Sequence, residues 1–276
     1  SFDLSFAGGE ANVAVSVANF GGEAKYVTKL PDNDLSKHAV RTLRGYGVNV
    51  DDIVYGGDRM GIYFVEKGAS QRPSKVLYDR KFASIATAER SEFDWAKIFE
   101  DVSWFHFTGI TPALSGNLVE ICMDACRAAK ERNIKISCDL NYRKNRWSSE
   151  KAGKVMAELL HYVDVCIANE EDAEKVFGIK AANSDILGGT LSTEGYLSVA
   201  QQLMDRFGCE KVAITLRGSL SASDNTWAGI LYDGNELYRS KQYTIHLVDR
   251  VGGGDSFGGG LIYALMNRYQ NQQAIE

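Results

Sequence analysis

The chain has 276 residues, 45% of them hydrophobic and 24% charged, enough apolar material for one large α/β domain with or without a small appendage. Its net charge is −5 and its basic residues are scattered, which argues against nucleic acid as a partner. No apolar run approaches the length of a membrane span. The five cysteines are an odd number without paired spacing and read as buried thiols of a reducing cytoplasm. Cys122-x-x-x-Cys126 has no second Cys or His pair to complete a metal site.

In chain order, Gly8-Gly9 opens a helix of small apolar residues and Gly21-Gly22 closes it, as glycine does just past a helix end. The small side chains predict close packing against a sheet. Asn12, in the first turn, is placed either to cap the helix or to offer its amide to a ligand above it. A second helix is predicted over 34–46, with an acidic start and a glycine stop. Residues 60–66 and 74–81 read as two strands joined by a polar turn. They stand outside the rhythm that follows, and we assign them to a small β lid formed mainly by about 52–82. Tyr63, Tyr78 and Arg80 then point toward what the lid covers; the plainer reading is edge-strand decoration.

From Trp95 onward strands and helices alternate. Strands are predicted over 102–108, 134–139, 164–168 and 211–216, and helices over 116–132, 150–161, 170–177 and 193–207. Such alternation means a parallel sheet covered by helices on both faces. Residues 227–231, 236–238 and 243–248 read as antiparallel strands, with an Asp233-Gly234 turn between the first two. The polar candidates fall at strand ends: Asp139-Leu-Asn141-Tyr-Arg143, Asn169-Glu170-Glu171-Asp172, and Thr215-Leu-Arg217-Gly218-Ser219 read as a turn. Ligands in open α/β sheets bind at the carboxyl ends of the strands.

The most informative stretch is Gly252-Gly253-Gly254-Asp255, followed by an apolar run of helical spacing. Glycines let the backbone turn sharply and approach a ligand closely. A helix starting near Asp255 would aim unpaired N–H groups and its positive dipole end into that turn. A carboxylate there is badly placed to bind phosphate and well placed to deprotonate a hydroxyl that attacks a phosphate held by the glycines. The competing reading is an ordinary loop with an N-cap Asp.

Asp249-Arg250-Val251-Gly252-Gly253-Gly254-Asp255 resembles the second signature of the ribokinase-like (pfkB) carbohydrate kinases, Asp-Thr-x-Gly-Ala-Gly-Asp, with Arg250 and Gly253 replacing Thr and Ala. Gly8-Gly9 followed by Asn12, then Gly21-Gly22, resembles the first signature, in which the glycine pair and the Asn contact the sugar. The form with Arg250, together with Tyr78-x-Arg80, Asn141 and Arg143, is similar to the 2-keto-3-deoxygluconate kinase branch. The resemblance implies a ribokinase-like three-layer sandwich with a mostly parallel sheet and a β lid, one domain over 1–276. It also implies a further strand with an acidic contact ahead of Gly8 and further helices after the last one, so both ends are expected to be short.

The resemblance implies ATP and Mg²⁺ as cofactors and leaves a monovalent cation open. Gly252, Gly253 and Gly254 would stabilise the transferring phosphoryl group, and Asp255 would be the base. Gly8, Gly9, Asn12, Tyr63, Tyr78, Arg80, Asn141, Arg143 and Asp255 would hold the sugar acid. Asn169, Thr215, Arg217, Gly218, Ser219, Gly252 and Gly254 would hold the nucleotide. Asp172 stands where the family has a Glu linked to Mg²⁺ and would act through water. The expected activity is phosphorylation of the terminal hydroxyl of 2-keto-3-deoxygluconate in the cytoplasm, by a homo-oligomer paired through the lid. The alternatives are a kinase of the family with a neutral acceptor (fructose, ribose or a nucleoside) and a non-catalytic sugar- or nucleotide-binding protein.

Overall fold

The structure is a computed structural model that describes residues 3–68, 70–169, 171–180, 193–221, 223–248 and 251–276. The chain opens with α1 (Gly9–Asn19), the two-residue strands β1 (Ala24–Lys25) and β2 (Lys29–Leu30), α2 (Asp34–Gly45), β3 (Val48–Asn49) and β4 (Val54–Tyr55). The hairpin strands β5 (Ile62–Glu66) and β6 (Lys75–Asp79) follow, then the one-turn helix α3 (Trp95–Ile98). Next come β7 (Trp104–Thr108), α4 (Gly116–Glu131), β8 (Lys135–Asp139), α5 (Ser149–Leu160), β9 (Val165–Asn169), α6 (Asp172–Phe177) and α7 (Thr193–Phe207). The chain ends with β10 (Lys211–Ser219), β11 (Asp224–Tyr232), β12 (Leu237–Arg239), β13 (Tyr243–His246), α8 (Gly253–Met266) and α9 (Asn271–Ile275).

The central sheet runs β12-β11-β10-β9-β8-β7, with β13 also paired to β11. β7, β8, β9 and β10 are parallel, whereas β11 is antiparallel to β10, β12 and β13. Both faces are covered, and the pleat shows it: along β9, Cys166 and Ala168 join the core under α4 to α7, while Val165 and Ile167 join Leu261 and Ala264 of α8 and Ala274 and Ile275 of α9. Leu118, Leu159, Leu160 and Leu203 are at most 1% exposed. Each such side chain stabilises the fold by about 2 kcal/mol through the apolar surface it removes from water.

α2 begins where Asn33 Oδ1 accepts the Ser36 N–H at 3.0 Å, an ordinary Asn N-cap. α6 is stopped by Gly178 at φ 69°, a left-handed position that suits glycine. The small residues of α1 bring it against a helix as closely as against the sheet. A Cβ added to Gly259 of α8 would lie 2.5 Å from Ser16 Cβ, so these two helices approach at near-backbone distance.

One expected turn is a strand. Thr215–Ser219 is not a turn: β10 continues through it, with Thr215 opposite Gly229, Arg217 opposite Trp227 and Ser219 opposite Asn225. Gly218 is there because a Cβ would collide with Thr226 Oγ1 on the paired strand. The hairpin begins at Ile62; Val54–Tyr55, inside the 52–82 span, pairs with β2 instead. The expected start of α6 at Glu170, and Asp249 and Arg250 of the second signature, lie outside the described residues.

Candidate active site

The parallel strands point their carboxyl ends to one edge, where a single open cleft gathers α1, the β5–β6 hairpin, the segments after β7, β8 and β9, and the start of α8. Gly8, Gly9, Asn12, Tyr63, Tyr78, Arg80, Asn141, Arg143, Asn169, Asp172, Thr215, Arg217, Gly252, Gly253, Gly254 and Asp255 all line it. Gly218 and Ser219 do not, because the continued strand carries them beyond the rim.

Gly252 precedes α8 at φ 84°, and a Cβ there would stand 3.3 Å from Asn12 Nδ2 and 3.6 Å from Asp255 Oδ2. Only glycine serves a position that is both left-handed and this close. The first bond of the helix runs from Ser256 N–H to Gly252 C=O at 2.8 Å, so the N–H groups of Gly253, Gly254 and Asp255 have no partner within the helix. A Cβ on Gly253 would meet the Trp227 ring at 3.4 Å, whereas Gly254 faces open space.

Asp255 stands in the first turn of α8, half-buried. Asn12 Nδ2 donates to its Oδ2 at 2.7 Å. Burial raises the Asp255 carboxyl above the ordinary aspartate range; the Asn12 hydrogen bond opposes the rise, the Glu10 charge adds to it, and Arg143 opposes it. A carboxylate moved toward neutrality in this way is a competent general base. Asn12 therefore gives its amide to Asp255 rather than capping α1.

Arg80 follows β6, its guanidinium carbon 4.5 Å from the centre of the Tyr78 ring and 5.1 Å from that of Tyr63. The two rings, 6.1 Å apart, hold the cation by its face and leave the edge donors for an acceptor. Burial lowers the Arg80 pKa, and the nearby charges of Arg146 and Arg143 add to the fall. Arg143 also bears electrostatically on Asp139, Asp172 and Asp255, so one side chain links the hairpin's Arg80 to Asp255. Arg146 is an addition to the sequence reading; the turn bond from its N–H to Arg143 C=O at 2.9 Å brings it to the same rim.

Two more acids stand at the strand ends. Asp139, on the cleft floor, is pushed up to about 8, chiefly by desolvation and then by the charges of Asp172 and Asp255. Asp172 is 3% exposed and raised to about 6 by burial; its Oδ1 accepts the Tyr142 N–H at 3.3 Å, while its Oδ2 is buried without a partner among the described residues. Asn169 Oδ1 accepts the N–H groups of Glu171 and Asp172 at 2.9 and 3.0 Å, so its oxygen holds the start of α6. Among the described residues no group of three or more His, Cys, Asp or Glu forms a closed metal cage.

A glycine-lined helix start, a carboxylate beside it and an arginine held between two tyrosines in the same cleft are the kind of groups that phosphoryl transfer to a hydroxyl uses. The model of the pfkB family of carbohydrate kinases matches residues 1–276. The chain belongs to the pfkB family. As a pfkB kinase it resembles the 2-dehydro-3-deoxygluconokinase of Thermotoga maritima, a solved structure with 47% identity and a TM-score of 0.95 over 100% of this chain and 82% of that one. A pfkB family carbohydrate kinase from Listeria grayi gives 32% identity and a TM-score of 0.90 over 99% and 82%. The 2-dehydro-3-deoxygalactonokinase of Haloferax volcanii is 33% identical over 96% of this chain and 77% of its own length. The chain is therefore a carbohydrate kinase of ribokinase-like fold. All five cysteines are free and buried, and among the described residues no helix is long and apolar enough to cross a membrane.

Proposed function

We propose that the protein transfers the γ-phosphate of ATP to the terminal hydroxyl of 2-keto-3-deoxygluconate. The observation that carries this reading is Arg80, clamped between Tyr63 and Tyr78 in the same cleft as Asp255. A neutral sugar offers such a guanidinium only uncharged oxygen acceptors, whereas a sugar acid offers a carboxylate that matches its fork and its charge. The names of the Thermotoga and Haloferax relatives agree with a keto-deoxy acid acceptor.

In this reading the sugar lies between the start of α1 and the hairpin, with its carboxylate toward Arg80 and Arg143. Its terminal hydroxyl reaches Asp255, which takes the proton as the oxygen attacks phosphorus. The N–H groups at the start of α8 hold the charge that develops on the phosphoryl oxygens. Asn169, Thr215 and Arg217 line the nucleotide side. Asp172, whose buried Oδ2 has no partner among the described residues, would hold Mg²⁺ through water. Bound there, Mg²⁺ supplies neutralising charge for the phosphates. The hairpin acts as a lid that excludes water.

The hairpin pairs with nothing else in the sheets described, yet it exposes Ile62, Phe64, Val65, Val76 and Leu77. We assign these to contact with a second copy, in a cytoplasmic homo-oligomer. The functional test is ADP release from Mg·ATP with 2-keto-3-deoxygluconate, fructose, ribose and gluconate as separate acceptors. The reading expects turnover with the keto-deoxy acid; strong turnover on fructose or ribose would remove Arg80 from the role given to it.

A further inference from the structure

Glu10 is an acid in the first turn of α1, which by itself is ordinary helix chemistry. Its hydrogen bonds are not ordinary. Glu10 Oε1 accepts the Thr108 backbone N–H at 3.0 Å, the Thr108 hydroxyl at 2.9 Å and the Thr111 hydroxyl at 2.6 Å. None of these donors belongs to α1; all three lie at or just beyond the end of β7, about a hundred residues away in sequence. Among the described residues β7 pairs only with β8, and Thr108 is 1% exposed. Its N–H would be a buried orphan without the Glu10 oxygen.

The same turn is wedged against the base. A Cβ on Gly9 would lie 3.2 Å from Thr108 Cγ2 and 3.7 Å from Asp255 Oδ1. Asn12, three residues further along α1, donates to Asp255 at 2.7 Å. Displacing the start of α1 therefore displaces the group that orients the base.

We propose that Glu10 is a positioning residue of the acceptor site: its carboxylate clamps the sugar-facing turn of α1 to the end of β7 and thereby fixes Asn12 against Asp255. The inference rests on the reading of that turn as the acceptor side. The groups that face the Asp255 carboxyl are Glu10 and Asn12 from α1, Asp139 and Arg143 from the end of β8 and the segment after it, and Thr108 from β7. Glu10 contributes a like charge as well as the clamp.

The test uses Glu10→Ala and Glu10→Gln in the whole protein. Loss of the clamp in Glu10→Ala raises the KM for the acceptor roughly tenfold or more and leaves the KM for ATP within about twofold. Glu10→Gln keeps an acceptor oxygen, recovers much of the acceptor KM, and moves the acid limb of the pH profile to lower pH, because a like charge has gone. Equal damage to both KM values, or a Gln variant as impaired as the Ala variant, overturns the proposal. The Asp255 titration, followed by carbon NMR of labelled aspartate with Asp255→Asn for assignment, needs no substrate. If no acceptor is turned over by the wild type, the functional reading fails by itself. Glu10 is then judged by NMR alone: a lower Asp255 midpoint in Glu10→Gln supports its placement, and an unmoved midpoint overturns it.

Discussion

Asn12 and Asp255, 243 positions apart, are joined by one hydrogen bond of 2.7 Å from the Asn12 amide to the Asp255 carboxylate. It connects the first and last long helices of the chain, and the small residues between α1 and α8 are what let those helices come close enough to form it. The bond favours the charged form of Asp255 while burial disfavours it. The site thus holds a carboxylate between two opposing influences.

Asp255→Asn keeps the shape of the side chain and removes its basicity. We expect turnover to fall by about 10² to 10⁴ with little change in ATP or acceptor binding measured by calorimetry. Turnover within tenfold of wild type would show that Asp255 is not the base.

Removing the amide has the opposite effect on pH dependence to removing the Glu10 charge. In Asn12→Ala the charged form of Asp255 loses its donor, so its pKa rises further and the acid limb of the kcat/KM profile moves to higher pH. The pH–rate profile, compared with wild type at saturating ATP, checks the direction.

Gly252→Ala places a Cβ at a φ of 84° and 3.3 Å from Asn12 Nδ2. We expect a stability loss of about 1–3 kcal/mol by denaturant titration. Activity should fall further than stability explains, since the added methyl presses on the amide that orients Asp255.

The buried acids set a pH dependence of stability for the ligand-free protein. Asp172 is raised to about 6 and Asp139 to about 8, whereas unfolded aspartates titrate near 4. Between these values the folded protein holds protons that the unfolded chain has lost, so these two acids make stability fall as pH rises from about 4 to 8, while buried His106, lowered to about 4, opposes them below about 6.5. Glu92, Asp224 and Asp233 are lowered and act below this window, with the opposite sign. Denaturant midpoints at pH 6 and 8 should therefore favour pH 6, and Asp172→Asn should shrink the difference and stabilise the protein at pH 8 by on the order of 1–3 kcal/mol.

The alternation of apolar strands and striped helices made the central layers legible, because both signals are local and periodic. The glycines before Asp255 were legible for the same reason: they stand together in sequence. Thr215–Ser219 was misread because Gly218 mimics a turn, and only the partner strand, with Thr226 opposite, shows why a glycine belongs inside a strand. α1 was expected against the sheet, since small residues reveal close packing but not what they pack on. Glu10 escaped notice because its partners, Thr108 and Thr111, lie far along the chain. Asp172 was legible only through the resemblance; its burial was not, because Tyr142, whose N–H its Oδ1 accepts, stands 30 residues earlier in the chain.

The most direct test of the central claim compares 2-keto-3-deoxygluconate with an analogue whose carboxylate is replaced by a hydroxymethyl group, in wild type and in Arg80→Met. The account predicts that wild type prefers the acid by a factor of about 10² or more in kcat/KM, and that Arg80→Met abolishes most of this preference by losing activity on the acid alone. Equal discrimination in both proteins, or equal losses on both substrates, would contradict the assignment of Arg80 as the reader of the carboxylate.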